Sequence, residues 1–227
     1  MTRRTNARVA GFTFFIYIAV ALGGMILSNT ATSGEGTASK LAGIAQHAAD
    51  LRVAMILELL GCFCALVLAV TLYAITRDED PDIALLAMAC RVAEGITGAV
   101  SLQRMAGRLW LATAAGADAP DPAATSALGA FLLKLPGTDI GATFFAVGST
   151  LFAYLLLRGR IVPVALGWLG VLASILAVVI LPLALVGLLR GPITELMWLP
   201  LLVFEVWLGL WLIIKGAAMP PPRRQAA

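Results

Sequence analysis

Charge is what this sequence has least of. Only 13% of its 227 residues are Asp, Glu, Lys or Arg, while 60% are hydrophobic. A soluble domain carries roughly a quarter charged residues. Mean hydropathy reaches +0.94, more apolar surface than one small core can hide from water. A lipid bilayer can solvate it, but a crossing must then satisfy its own backbone hydrogen bonds, as a helix or a closed barrel. The apolar runs are continuous and lack the alternation of barrel strands, so the expected fold is all-α and polytopic.

Other scarcities narrow the chemistry. There is one histidine, His47, and it lies in a polar stretch between apolar runs. Zinc hydrolysis needs several ligands in one place, and a Ser–His pair needs its histidine beside a serine at depth. The three cysteines, Cys62, Cys64 and Cys90, all fall inside apolar runs. They read as small packing residues rather than a disulfide framework. Cys62 and Cys64 also stand about 200° apart on a helix, poor geometry for a shared metal. The net charge of +3 forms no basic stripe with interleaved aromatics, so nucleic acid is not an expected partner. No phosphate-binding loop or dinucleotide fingerprint is present, and Gly34-Glu-Gly36 is flexible sequence. No catalytic residue, cofactor or metal site is assigned, and an enzyme is disfavoured. A weaker alternative keeps lipid head-group chemistry at the outer boundary, with Asp139 or Glu58 as base.

What remains is a set of apolar runs of membrane-spanning length, about 20 residues each. Six are expected, at about 9–27, 53–75, 83–111, 140–157, 161–189 and 196–214. Short basic tails, 1–8 and 217–227, flank them. A loop rich in Ala, Asp and Pro is expected at 117–126. Six crossings put Arg3, Arg4, Arg8, Arg77, Arg158, Arg160, Lys215, Arg223 and Arg224 on one side. The positive-inside rule then makes both termini cytoplasmic. The first run is too long for a signal-peptide core and lacks a small-residue cleavage site. No internal repeat supports an inverted-repeat architecture.

Charges inside these runs are costly and need a reason. Glu58, Arg91, Glu94 and Glu205 lie there. Counting about 1.5 Å per residue puts Glu94 and Glu205 near the midplane, Arg91 toward the cytoplasm and Glu58 in the outer half. Glu58 shares a stripe with Ala54, Gly61, Cys62, Ala65 and Ala69, small residues that let another helix approach. Arg91, Glu94, Gly98, Ser101 and Arg108 share a face of the third run, and Glu205 stands above Gly209 and Gly216. Gly167, Gly170, Ser174 and Ala177 mark the fifth run as a packing helix. Arg91 and Glu94, at i and i+3, are within reach of each other. One arginine cannot neutralise three carboxylates, so protons or another cation are required. Arg104 and Arg108 are the nearby candidates, and Asp139 adjoins them at the outer boundary. The expectation is a polar cavity in the outer half of the bundle. Tyr17 and Trp168, Trp198, Trp207 and Trp211 read as interface or packing residues.

Two functional classes fit. The cluster is a site for a small cation, amine or lipid, or a proton path; or its charges are glue that fixes helix partners in a structural or regulatory protein. Several segments carry a family resemblance: Arg8-Val-Ala-Gly11, Leu57-Glu-Leu-Leu-Gly61, Arg91-Val-Ala-Glu94, Leu166-Gly-Trp-Leu-Gly170, and Phe204-Glu-Val-Trp-Leu-Gly-Leu-Trp211 with Lys215-Gly216. In order and spacing they resemble an uncharacterised bacterial six-helix membrane family, domain of unknown function family 4386. The resemblance implies one domain in the plasma (inner) membrane and supplies no activity, ligand or catalytic residue.

Overall fold

The computed structural model describes residues 1–116, 119–134 and 140–217. Among the described residues there are nine helices and no strand: α1 (Arg3–Ala31), α2 (Gly36–Gln46), α3 (Ala48–Thr76), α4 (Pro81–Thr113), α5 (Pro122–Lys134), α6 (Ile140–Arg158), α7 (Val164–Leu185), α8 (Pro192–Leu196) and α9 (Trp198–Ile214). Six spans are long and apolar enough to cross a membrane: α1, α3, α4, α6, α7 and the α8–α9 pair, Pro192–Ile214. Their outward faces carry large apolar side chains such as Phe12, Ile56, Phe63, Ile96, Leu172 and Val203. This is the surface of a polytopic membrane protein, solvated by lipid.

The six spans close into a ring. Each packs on the next in chain order, α1 on α3, then α4, α6, α7 and α9, and α9 returns to α1. α3 also touches α6 across the middle. Glycines set the tightest seams. A Cβ on Gly11 would lie 2.7 Å from the Gly209 carbonyl oxygen, so α1 and α9 cross with their backbones almost in contact. Gly170 leaves the space that the Phe204 ring fills between α7 and α9. The stripe Gly167, Gly170, Ser174 and Ala177 is buried, as its spacing predicts.

One end of the ring gathers the basic residues. Both termini of the bundle meet there, with Gly216 against the Arg4 stem. The α3–α4 turn joins them through Arg3 and Asp78, 3.7 Å apart, and Arg158 and Asp80, 3.0 Å apart. Asp80 also accepts from the Ile83 backbone N–H at 3.2 Å, and Pro81 opens α4, so one residue caps a helix and ties it to α6.

Three stretches differ from the expected bounds. The stretch at 28–50 is mostly helical: α1 continues to Ala31, and α2 follows before α3 begins at Ala48. The segment after 117 likewise contains α5, from Pro122. Both are short helices that cover Leu51 and Leu111 at the end of the ring away from the basic face, with Leu41, Ile44 and Leu132 packed there. Their apolar residues are too few to read as crossings. The fifth span stops at Leu185 rather than 189. Gly187 adopts φ +78°, and Leu188 N–H bonds back to the Leu183 carbonyl at 2.9 Å. That pattern closes a helix with a left-handed glycine. The third span is α4, which runs unbroken for 33 residues. At about 1.5 Å per residue it outlasts the hydrocarbon, so its far end stands beyond it.

Candidate functional site

The centre of the ring is occupied by an arginine. Arg91 on α4 is 1% exposed, among the largest fully buried side chains. Its stem packs beside Gly148 of α6, where a Cβ would come within 3.2 Å of the Arg91 Cγ. The guanidinium carbon lies 5.5 Å from the centre of the Tyr17 ring on α1 and 4.9 Å from that of Phe145 on α6. Two aromatic faces thus replace part of its lost hydration. Phe145 is backed by Trp198 of α9, centroids 6.1 Å apart.

Glu94 supplies the counter-charge one turn along α4. Arg91 Nη1 lies 2.9 Å from Glu94 Oε2. The other carboxylate oxygen, Oε1, accepts a 2.6 Å hydrogen bond from the Tyr17 hydroxyl. Glu205 of α9 is the second acid, 6% exposed. Its Oε1 is buried and meets no hydrogen-bond partner among the described residues; the same holds for all three Arg91 side-chain nitrogens and for Glu94 Oε2, so the Arg91–Glu94 contact is an ion pair. Glu205 and Arg91 line one internal void together with Ser149 and apolar side chains. It has room for about one water molecule. One cation therefore faces two carboxylates in a nearly dry interior.

The expected set is brought together only in part. Arg91, Glu94 and Glu205 converge. Glu58 stands further along the bundle at the α3–α4 seam, its Oε1 3.9 Å from where a Cβ on Gly98 would lie. Arg108 donates through Nε and Nη2 to the Leu132 carbonyl, at 3.0 and 2.6 Å, and so holds the C-terminal turn of α5. Arg104 is half-buried one turn before it on α4. Asp139 lies outside the described residues. The void is not in the outer half: its lining residues lie from Arg91 toward the basic end. Residue count along a helix sets depth, whereas the side of the arginine on which packing falls short depends on the neighbouring helices.

Tyr17 is the residue that sequence reasoning missed. An isolated tyrosine in an apolar run is read as packing. A phenol needs a partner when buried, but the partner is an acid three helices away in sequence. Phe145 carries no sequence signal at all. Among the described residues no three His, Cys, Asp or Glu side chains gather as a metal site.

Residues 9–216 match the family model described as Domain of unknown function (DUF4386). The chain belongs to that family. No curated protein and no solved structure matches it.

Proposed function

We propose that this member of the family is a plasma-membrane protein that binds a proton or small cation at the Arg91–Glu94–Glu205 centre and couples that binding to transport. One observation carries the reading. Glu205 presents a buried carboxylate oxygen without a partner to a void, while Arg91 is already engaged by Glu94. An ionisable group held inside a membrane bundle against its solvation cost is a functional site by default. The small void favours a proton or a compact ion over an amine or a lipid. Both termini are assigned to the cytoplasm because the basic end carries Arg3, Arg4, Arg77, Arg158, Arg160 and Lys215. We also read the protein as non-catalytic, because its sequence holds a single histidine, His47, and offers no nucleophile–base pair at depth.

The test is reconstitution of the full chain in liposomes, with proton and monovalent-cation fluxes followed by entrapped dyes. Wild-type protein should carry a flux that Glu205→Gln abolishes while the variant remains inserted and monodisperse. Equal fluxes in wild type, variant and protein-free liposomes across the panel would reject the reading.

A second reading is favoured by how tightly Arg91 is held. Tyr17, Phe145 and Glu94 surround it, as they would if the charges only fixed helix partners. This structural or regulatory role predicts stability effects at Arg91 and Glu94 with no ligand dependence at Glu205.

A further inference from the structure

The void beside Glu205 has a direction. α4 enters from the basic end, so Arg91 is nearer that end than Glu94. On the far side of Arg91 stand Glu94 and Tyr17, closed by the rings over the guanidinium. On the near side the lining residues are Phe14 of α1, Leu72 of α3, Phe152 and Leu156 of α6, and Leu208 of α9. Each lies between the level of the cluster and the helix end at the basic face: Arg3, Thr76, Arg158 or Ile214. Leu72 and Leu156 come within about one helical turn of those ends. An apolar plug, continued toward the basic end by the buried Ile75, Ile161 and Leu212, therefore separates Glu205 from the basic face.

The donors also restrict the ligand. Ca²⁺ takes about six to eight oxygen ligands and Mg²⁺ an octahedral set. This void offers the Glu205 carboxylate and the Ser149 hydroxyl, and the rest is aliphatic or aromatic apart from Arg91. The guanidinium repels any second cation placed beside it in a low-dielectric interior. A proton needs only one oxygen and gives up its charge to the carboxylate it joins.

We infer that the ligand of this site is the proton, and that Glu205 exchanges it with the basic face through the Phe152–Leu156–Leu208 plug. The inference rests on the proposed reading of Glu205 as the ligand-bearing group. The step is an acid–base exchange: a hydronium ion admitted past the plug gives its proton to the Glu205 carboxylate and leaves as water, and the carboxylic acid returns the proton to a water by the same path. Arg91 keeps its ion pair with Glu94 and blocks passage to the other side.

Infrared difference spectra of the full chain in lipid nanodiscs, acid minus base, give the first arm. A protonated-carboxyl band is expected that Glu205→Gln removes and Glu205→Asp shifts, and that Na⁺ or K⁺ at fixed pH leaves unchanged. The second arm replaces Cys62, Cys64 and Cys90 with alanine and adds Leu208→Cys. A membrane-impermeant thiol reagent should label that cysteine only from the side bearing the N-terminus. A band displaced by Na⁺ or K⁺ at constant pH would leave a cation site standing and overturn the proton. Labelling from the opposite side, or from neither, would overturn the route alone. The absence of any band sensitive to either Glu205 variant would overturn both this inference and the reading beneath it.

Discussion

Tyr17 on α1 donates a 2.6 Å hydrogen bond to Glu94 on α4, across 77 residues of sequence. The same ring covers the Arg91 guanidinium, so one side chain serves both members of the ion pair. Tyr17→Phe separates these roles, because it keeps the ring and removes the hydroxyl. Hydrogen bonds to charged groups contribute about 1.5–3 kcal/mol. Tyr17→Phe should therefore lower stability by about 2 kcal/mol in denaturant unfolding in detergent micelles, and Tyr17→Ala by more.

Arg91→Leu should cost more than any other single change at the centre. Removing one partner of a buried pair leaves an uncompensated charge, a loss of about 3–5 kcal/mol. Adding Glu94→Gln should recover part of it, because the stranded carboxylate is then gone. The measurement is a double-mutant cycle on thermal unfolding midpoints. Strict additivity of the two changes would mean that the 2.9 Å contact carries no coupling.

Gly11→Ala tests the closure of the ring. Its new methyl would sit 2.7 Å from the Gly209 carbonyl oxygen and as close to the Ile213 side chain. Backbone cannot yield as a side-chain tip can, so α1 and α9 must separate. Overpacking of this kind costs about 1–3 kcal/mol. Gly36→Ala is a useful contrast, since nothing lies within 4 Å of its Cβ and only its positive φ of +79° resists.

The spans were legible because lipid imposes a length and a composition on every crossing, and no other part of the chain meets both. The i, i+3 spacing likewise exposed the Arg91–Glu94 pair, a contact made within one helix. What the sequence could not convey was contact between helices. Tyr17 and Phe145 look like ordinary apolar-run aromatics until α1 and α6 are placed beside α4. Arg108 shows the converse error. Its place on the same stripe as Glu94 suggested a shared site, yet four further turns of α4 carry it to the α5 carboxyl end. Helical phase fixes direction around an axis, and only depth and neighbours decide which polar groups meet. Glu58 and Arg108 share that lesson.

Topology follows from the ring. Reporter fusions at residues 79 and 159 should read the same compartment as the N-terminus, because Arg3 pairs with Asp78 and Arg158 with Asp80 at one end. Fusions at 40 and 128, in α2 and α5, should read the opposite compartment. A mixed readout at 128 alone would point to α5 entering the bilayer, which its 13 residues are too short to cross.

Asp80 joins two functions that substitutions can pull apart. It caps α4 through the Ile83 N–H and pairs with Arg158 of α6. Asp80→Asn keeps a good cap and loses the charge; Asp80→Ala loses both. The alanine variant should therefore fall below the asparagine variant by about 1 kcal/mol, the usual worth of an N-cap. The ion pair is solvent-facing and screened by salt. Wild type should lose stability relative to Asp80→Asn as salt rises, while the gap between the asparagine and alanine variants stays constant. If that gap also closes with salt, the side chain acts through charge alone and the cap contributes nothing.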